Sequence, residues 1–558
     1  MPAPPSPAST TAATAAAATP HRQRSAWLLG ALALWLLATA GTRALLLPDE
    51  GRYVGVAYAM LQGDWLVPRL DGLPFFHKPP LMYWIDAAAL RLVGVNEIGA
   101  RAAPLLGALV MAAAIGWDLR RRTDAHRAAL VLGALATSPL FYFGAQYANL
   151  DMLVAGLVTA AVVLGARAGE PAAALGWAAA AWVAAALAVL AKGLIGVVLP
   201  ALVLLPWLLW RRRWRGLARL VHPLALAAFA LVALPWFVAM QMRYPGFFDY
   251  FFVEQHLRRY AQGGFNNAQP AWFYLAVLPL LTLPWSLALP AVRRLRRIGE
   301  DTRPPHPGGG VRQRPTADRA HRPNTRADTH PPQPDDVLGR QPDDALGRQP
   351  DGTAVALYAW WVCVVLVFFS LPQSKLVGYV LPALGPFVAL LVLAATAGQR
   401  RLAWRWGLAL GALLCLAASV YLARTTALPS QRDVARALAA RMQPGDRVVL
   451  VGAPYFDVAF YARLGTPPAV LADWNAPGFA ERDDWRKELR DAARFEPARG
   501  AQLLWPLERT AALACSAQRL WWVAAHDWQP PAAAGGATRV LQGRSAALWL
   551  STRPAACP

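Results

Sequence analysis

About eleven apolar runs, each near the length that crosses a bilayer as a helix, divide the sequence at 26–47, 97–117, 127–146, 150–168, 172–191, 193–210, 217–239, 271–290, 354–371, 376–397 and 402–423. In hydrocarbon the backbone must satisfy its own hydrogen bonds, so these runs predict a mostly α, polytopic membrane protein. Composition agrees, with 56% hydrophobic and only 16% charged residues. The net charge of +22 is almost wholly Arg, clustered beside the apolar runs, which makes it a topology signal. No soluble basic face remains for nucleic acid.

Short loops rich in Arg belong on the cytoplasmic side. With the N-terminus inside, that side receives DLRRRTDAHR, the RAGEP turn, RRRWRGLAR, RRLRR and GQRRLAWR. Residues 1–25, rich in Ala, Pro, Ser and Thr, read as a disordered cytoplasmic tail, and 26–423 as the membrane domain. Within it, the Pro-, Arg-, Asp- and Gly-rich stretch 293–352 repeats QPDDVLGR and QPDDALGR without apolar content, so it reads as a disordered cytoplasmic insert. Residues 424–558 change character. DRVVLVG, PAVLADW and RLWWVAAH have strand patterns and PYFDVAFYARLG a helical one, which predicts a small soluble α/β domain on the outer, periplasmic face. VGAP there lacks the glycine spacing of a nucleotide loop. Cys363 and Cys415 fall in apolar runs, while Cys515 and Cys557 can pair if their compartment is oxidising.

The outer loops carry the chemistry. The first, 48–96, holds two amphipathic stretches, GRYVGVAYAM and PPLMYWIDAAALRLVG, expected to lie along the membrane surface. Asp49 and Glu50 stand where the first helix leaves the bilayer, and Lys78 stands where the chain returns, ahead of Pro79 and Pro80. Lysine occurs only at 78, 192, 375 and 487, and three of these four end membrane segments. Against such an Arg bias, each Lys offers a compact ammonium suited to a phosphate oxygen. The outer loops together supply Asp49, Glu50, Arg52, Tyr53, Lys78, Asp151, Lys192, Glu254, His256, Arg258, Arg259, Tyr260 and Lys375, with Tyr379 just beyond. Cations would hold a phosphate, and a carboxylate would take a proton from an attacking hydroxyl or orient an acceptor already ionised. Plainer roles stand beside these: Asp151 as a helix cap, Lys192 and Lys375 as snorkelling anchors, Arg258 paired with Glu254 one turn away. Glu254 and His256 are two apart and share no helical face, so no metal site is established; a divalent metal is compatible with the chemistry and no cofactor is demanded by the residues.

In order along the chain, PDEGRY, GDWLVPRLDGLPFFHKPPLMYW, GVNEIGAR, YANLD, AKG, FFDYFFVEQHLRRY and QSKLVGYVLPALGP resemble the aminoarabinose transferase ArnT family and its relatives among protein O-mannosyltransferases. The resemblance covers most of 26–423. It implies a GT-C fold and transfer of a sugar from a polyprenyl-phosphate carrier such as undecaprenyl phosphate, with inversion, to lipid A, another envelope glycan or a protein in the bacterial inner membrane or periplasm. It also implies catalytic carboxylates at Asp49, with Glu50 beside it, and at Asp151. A phosphate set of Lys78, Lys192, Arg258 and Lys375 follows, with Arg52, Tyr53, Glu254, Tyr260 and Tyr379 around the substrate. The chain has His77 where the pattern has Glu, and QSK where it has an AKGK-like run, which leaves the sugar open. The rival class is a lipid or sugar transporter; the nearly uncharged centres of the apolar runs speak against a midplane substrate site.

Overall fold

The computed structural model of the protein describes residues 26–258, 267–293, 352–396, 401–425, 429–477, 484–555 and 557. The tail read at 1–25, nearly all of the insert read at 293–352, and Arg259 and Tyr260 lie outside these residues. The membrane part begins with α1 (Ala26–Ala40), followed by the first loop with α2 (Asp49–Gln62), a hairpin of β1 (Arg69–Leu70) and β2 (Leu73–Pro74), and α3 (Leu81–Val93). It continues through α4 (Ala102–Arg122), α5 (Ala125–Ala136), α6 (Pro139–Gly144), α7 (Leu150–Ala168), α8 (Leu175–Lys192), α9 (Ile195–Trp210), α10 (Trp214–Leu220) and α11 (Pro223–Arg243). A π-helical segment, Asp249–Arg258, precedes α12 (Phe273–Leu281), α13 (Gly352–Ser370), α14 (Leu381–Thr396) and α15 (Arg401–Arg424).

Among the described residues seven helical stretches are long and apolar enough to cross a membrane, or eight if Phe273–Leu281 and Trp285–Val292, bent by 119°, form one span. Three further apolar helices, α1, α5 and α9, are shorter. Four apolar runs have no long helix of their own: α1 and α9 are short, and two breaks account for the others. The run 127–146 splits at Ser138, whose backbone is extended ahead of Pro139. The run 271–290 bends between Leu281 and Trp285, where Pro284 has no N–H to continue the helix.

Packing makes α7 and α14 the centre of the bundle, since 83% of each span is buried, against 17% for α15 at the rim. α7 can sit there because its backbone meets that of α4 at paired glycines: a Cβ on Gly156 would collide with the Gly107 carbonyl. Arg120, Arg121 and Arg122 close α4 at the end away from the first loop, where Glu170 pairs with Arg121 and Arg167.

The first-loop helices differ from expectation in one respect. α3 keeps one-sided burial, with Met82, Tyr83 and Leu90 inside and Leu92 exposed. α2 does not lie free on a membrane surface, because its other face is covered by the C-terminal sheet domain: Cβ atoms on Gly51 and Gly55 would stand 3.1 Å from Asp457 N and 3.2 Å from Phe456 O. Those two glycines let the backbones approach.

The C-terminal part runs α16 (Arg432–Ala439), β3 (Arg447–Val451), α17 (Val458–Ala462), β4 (Ala469–Ala472), α18 (Trp485–Ala493), α19 (Pro497–Leu503), β5 (Leu504–Pro506), α20 (Thr510–Ala514), β6 (Arg519–Ala524), β7 (Thr538–Gln542) and β8 (Ala547–Thr552). Its sheet has the order β5-β4-β3-β6-β8-β7, parallel from β5 to β6 and antiparallel at β8 and β7. β3, β4 and β6 are the strands legible in the sequence, buried on both faces as parallel strands require. β5 is three residues long and β7 is a bulged, exposed edge, so neither carries a strand pattern. Cys515 and Cys557 form a disulfide with Cα atoms 5.5 Å apart.

Candidate functional site

The adjacent carboxylates Asp49 and Glu50 open α2, and a helical step of about 100° turns them to different surroundings. Glu50 points into the protein and is fully buried. Its Oε1 accepts hydrogen bonds from Arg43 Nη2 (3.1 Å), Arg101 Nε (3.0 Å) and Ala148 N (2.9 Å). Its Oε2 accepts from Arg43 Nη1, Leu46 N (2.8 Å) and Arg101 Nη2 (3.3 Å). Burial pushes the Glu50 carboxyl up, but Arg101 and Arg43 more than reverse this, and it settles at about 2. With both oxygens saturated, Glu50 has nothing left to offer a reactant. The expectation of a catalytic Glu50 is corrected to a structural one: it ties the end of α1, the turn before α4 and the loop before α7 to the start of α2. The Arg partners went unnoticed in the sequence, although Arg101 closes GVNEIGAR and Arg43 interrupts an apolar run.

Asp49 faces outward, its side chain 34% exposed. Arg52 Nη2 donates to Oδ1 at 2.6 Å, while among the described residues Oδ2 accepts only from the Tyr147 hydroxyl, at 3.5 Å, so Oδ2 is the freer acceptor. The other arm of Arg52 reaches the C-terminal sheet domain, where Nη1 donates to Glu488 Oε1 at 2.6 Å. The same Glu488 oxygen is 3.6 Å from His77 Nδ1, and His77 Nε2 hydrogen-bonds the Tyr250 hydroxyl at 2.7 Å. His77 also stacks on Phe75. A continuous string of polar contacts thus runs from Asp49 through Arg52 and Glu488 to His77, the residue before Lys78. Lys78 itself is half-buried in the turn leading into α3. Tyr53 lies under the guanidinium of Arg52, 5.1 Å from it; burial pushes its phenol up, Arg52 opposes this, and Asp49, Glu488 and Asp151 add to the rise.

Asp151 and Lys192 meet as an ion pair between the first turn of α7 and the last turn of α8. The helix cap expected of Asp151 is made instead by Asn149, whose side chain accepts from Asp151 N at 3.0 Å; Asn149 Nδ2 also donates to Asp151 Oδ2 at 3.1 Å. Lys192 Nζ sits 4.5 Å over the Tyr379 ring. Gly378 admits this arrangement, since a Cβ there would strike the Asp151 carboxylate.

The Lys375 ammonium is taken up by backbone carbonyls. The residue is 4% exposed, and its ammonium donates to the carbonyls of Gln269 (2.9 Å) and Pro372 (2.6 Å), clamping two loops that also pair through Lys375 N to Asn267 O at 3.0 Å. It makes no hydrogen bond or ion pair with the Asp49 or Asp151 groups. Glu254 is half-buried on the π-helical segment, while the side chains of His256 and Arg258 and the whole of Tyr260 lie outside the described residues. Among the described residues no group of three His, Cys, Asp or Glu side chains is gathered in a metal-binding arrangement. The contributions that sequence reasoning missed are Glu488, Tyr250 and Tyr147; Glu488 sits in α18 with no motif around it, and only its burial gives it away.

Residues 32–251 match the family described as dolichyl-phosphate-mannose-protein mannosyltransferase. An undecaprenyl phosphate-alpha-4-amino-4-deoxy-L-arabinose arabinosyl transferase of Pseudomonas aeruginosa (strain LESB58) is 35% identical over 282 residues, 49% of this chain and 51% of the relative. The protein of that name from Pseudomonas paraeruginosa is 32% identical over 415 residues, 72% of this chain and 66% of the relative. The chain therefore spans about half to two thirds of the length of these curated relatives. In three dimensions it is similar to the apo crystal structure of ArnT from Cupriavidus metallidurans, with a TM-score of 0.72 and 21% identity over 95% of this chain and 98% of that one. The structure of the same protein bound to undecaprenyl phosphate gives a TM-score of 0.71. By sequence the chain matches that mannosyltransferase family over residues 32–251, and over nearly all of its length its fold is ArnT-like, of the GT-C type.

Proposed function

We propose that the protein is a glycosyltransferase that moves a sugar from undecaprenyl phosphate to an acceptor at the periplasmic face of the bacterial inner membrane. The observation that carries this reading is the polar string from Asp49 through Arg52 and Glu488 to His77, which ties a half-open carboxylate to the loop that carries Lys78. The acceptor oxygen attacks the anomeric carbon, the bond from that carbon to the phosphate oxygen breaks, and the electron pair leaves with the carrier phosphate. Asp49 Oδ2 takes the proton of a hydroxyl acceptor, or orients one already ionised. Lys78, with Lys192 and Arg258, meets the charge that grows on the leaving phosphate. Asp151 positions Lys192; Tyr53, Glu254, Tyr260 and Tyr379 surround the sugar; Lys375 supports the neighbouring loops.

Sidedness follows from the Arg clusters at the opposite end of α4 and α9, which belong in the cytoplasm. The Cys515–Cys557 disulfide fits an oxidising compartment for the soluble part. In this reading 26–423 is the catalytic membrane unit and 424–558 the periplasmic one. The favoured sugar is 4-amino-4-deoxy-L-arabinose, because the curated relatives bear it in their names, and the first reading takes lipid A as its acceptor. A protein acceptor is the second reading, favoured by the mannosyltransferase family matched over 32–251.

Mass spectrometry of lipid A and envelope proteins from cells with and without the gene tests both. A mass increment on lipid A identifies the sugar and supports the first reading; an increment on polypeptide with lipid A unchanged supports the second. Asp49→Asn and Lys78→Ala should each abolish the increment while the protein still accumulates in the membrane. Near-normal increments in either variant would remove the assigned roles.

A further inference from the structure

The C-terminal sheet domain contributes a side chain to the site. α18 packs on β2 of the first loop, and its Glu488 is only 6% exposed. A carboxylate that deep is costly unless something compensates its charge, and its compensation comes from the first loop: Arg52 at 2.6 Å and His77 at 3.6 Å. Glu488 is therefore suited to the docked arrangement and ill suited to the soluble part alone. Arg52, for its part, is shared. Paired with Asp49 only, three residues earlier on the same helix, it would be a surface pair with many rotamers open to it. Gripped by Glu488 at Nη1 and laid over Tyr53, it has one arrangement, and its Nη2 then fixes Asp49 Oδ1.

We propose that Glu488 is a positioning residue for the transfer reaction, acting through Arg52 to hold the Asp49 carboxylate, so that the site is complete only when the C-terminal sheet domain is docked. The inference rests on the reading of Asp49 given above. It is distinct from simple docking, for which the structure offers a control: Glu496 takes Arg69 Nη2 at 2.7 Å and the Tyr244 hydroxyl at 2.6 Å, joining the same two regions without touching Arg52.

The test uses the full chain in native membranes and the transfer product named by the mass increment. Glu488→Gln should lower kcat about tenfold or more with the donor KM within about twofold, because misorientation acts on the reacting geometry and not on carrier binding. Glu488→Asp should recover part of the rate. In an Arg52→Gln background Glu488→Gln should add less than about twofold, the signature of two residues acting in series. Glu496→Gln should combine multiplicatively with Arg52→Gln. If Glu488→Gln fails to accumulate, Glu488→Asp carries the same comparisons. Full-rate Glu488 variants, fully multiplicative effects with Arg52→Gln, or the same pattern from Glu496→Gln would overturn the inference and leave the transferase reading intact. Absence of any product from the wild type would overturn the transferase reading, and this one with it.

Discussion

Asp49 and Glu50 are neighbours of the same chemical type at the same helix start, yet one side chain is 34% exposed with one oxygen nearly free and the other is fully buried with both oxygens saturated. The first has the geometry of a reactant and the second that of a rivet. Partners decide between them: a single shared guanidinium and a distant phenol on one side, two dedicated guanidiniums and two backbone amides on the other. A carboxylate whose lone pairs are all engaged gains rigidity and loses reactivity.

That contrast can be broken by exchanging which property is removed. The largest effect is expected for Asp49→Asn, which should cost about 10³-fold in transfer rate with the melting temperature unchanged, a loss typical of removing a positioned proton acceptor. Product formation and thermal unfolding of the purified protein check the two halves. Glu50→Gln should do the reverse. It strands Arg43 and Arg101 without the carboxylate that pairs with both, a loss of about 3–5 kcal/mol, seen as poor accumulation and a lower melting temperature, while the surviving folded fraction retains its rate per molecule.

The pH dependence sharpens the same comparison. Glu50 sits at about 2 in the folded protein, below its ordinary value of 4.5, so its stabilising contribution is complete above pH 4.5 and is lost as pH falls towards 2. Unfolding of the wild type against Glu50→Gln across that window should show the gap between them close. Asp457, where the soluble part meets Gly51 of α2, has the opposite sign. It is fully buried; its Oδ2 accepts from Ser430 Oγ and Gln431 N, both at 2.8 Å, while Oδ1 has no hydrogen-bond partner among the described residues. Burial pushes its carboxyl up from 3.8 to about 6, so ionisation penalises the folded state above pH 6, and the penalty is gone below 3.8. The smallest effect follows: Asp457→Asn should stabilise the protein by about 3 kcal/mol at pH 7 and by nothing measurable at pH 3.5.

Much of the architecture was legible from the apolar runs, because a bilayer leaves the backbone few choices. The runs at 150–168 and 193–210 coincide with α7 and α9 within a few residues. The breaks at Pro139 and Pro284 were written in the sequence as well, but run length outweighed them. In the site, Asp49, Asp151 and Lys192 were legible as charges that a membrane boundary does not tolerate idly. Lys375 obeyed the same rule and turned out to clamp two loops, since a buried ammonium is satisfied as well by carbonyls as by a phosphate.

Composition and periodicity alone settled that this is a helical membrane protein with a sheet-bearing end, because hydrocarbon length and strand alternation are local properties of the chain. The roles of Asp49 and Glu50, the arrival of Glu488 from 436 residues away at Arg52, and the burial of α2 under the C-terminal sheet were decided only by tertiary structure. The physical reason is that a charge acquires its function from what compensates it, and those compensating groups come from segments whose separation along the chain carries no local pattern.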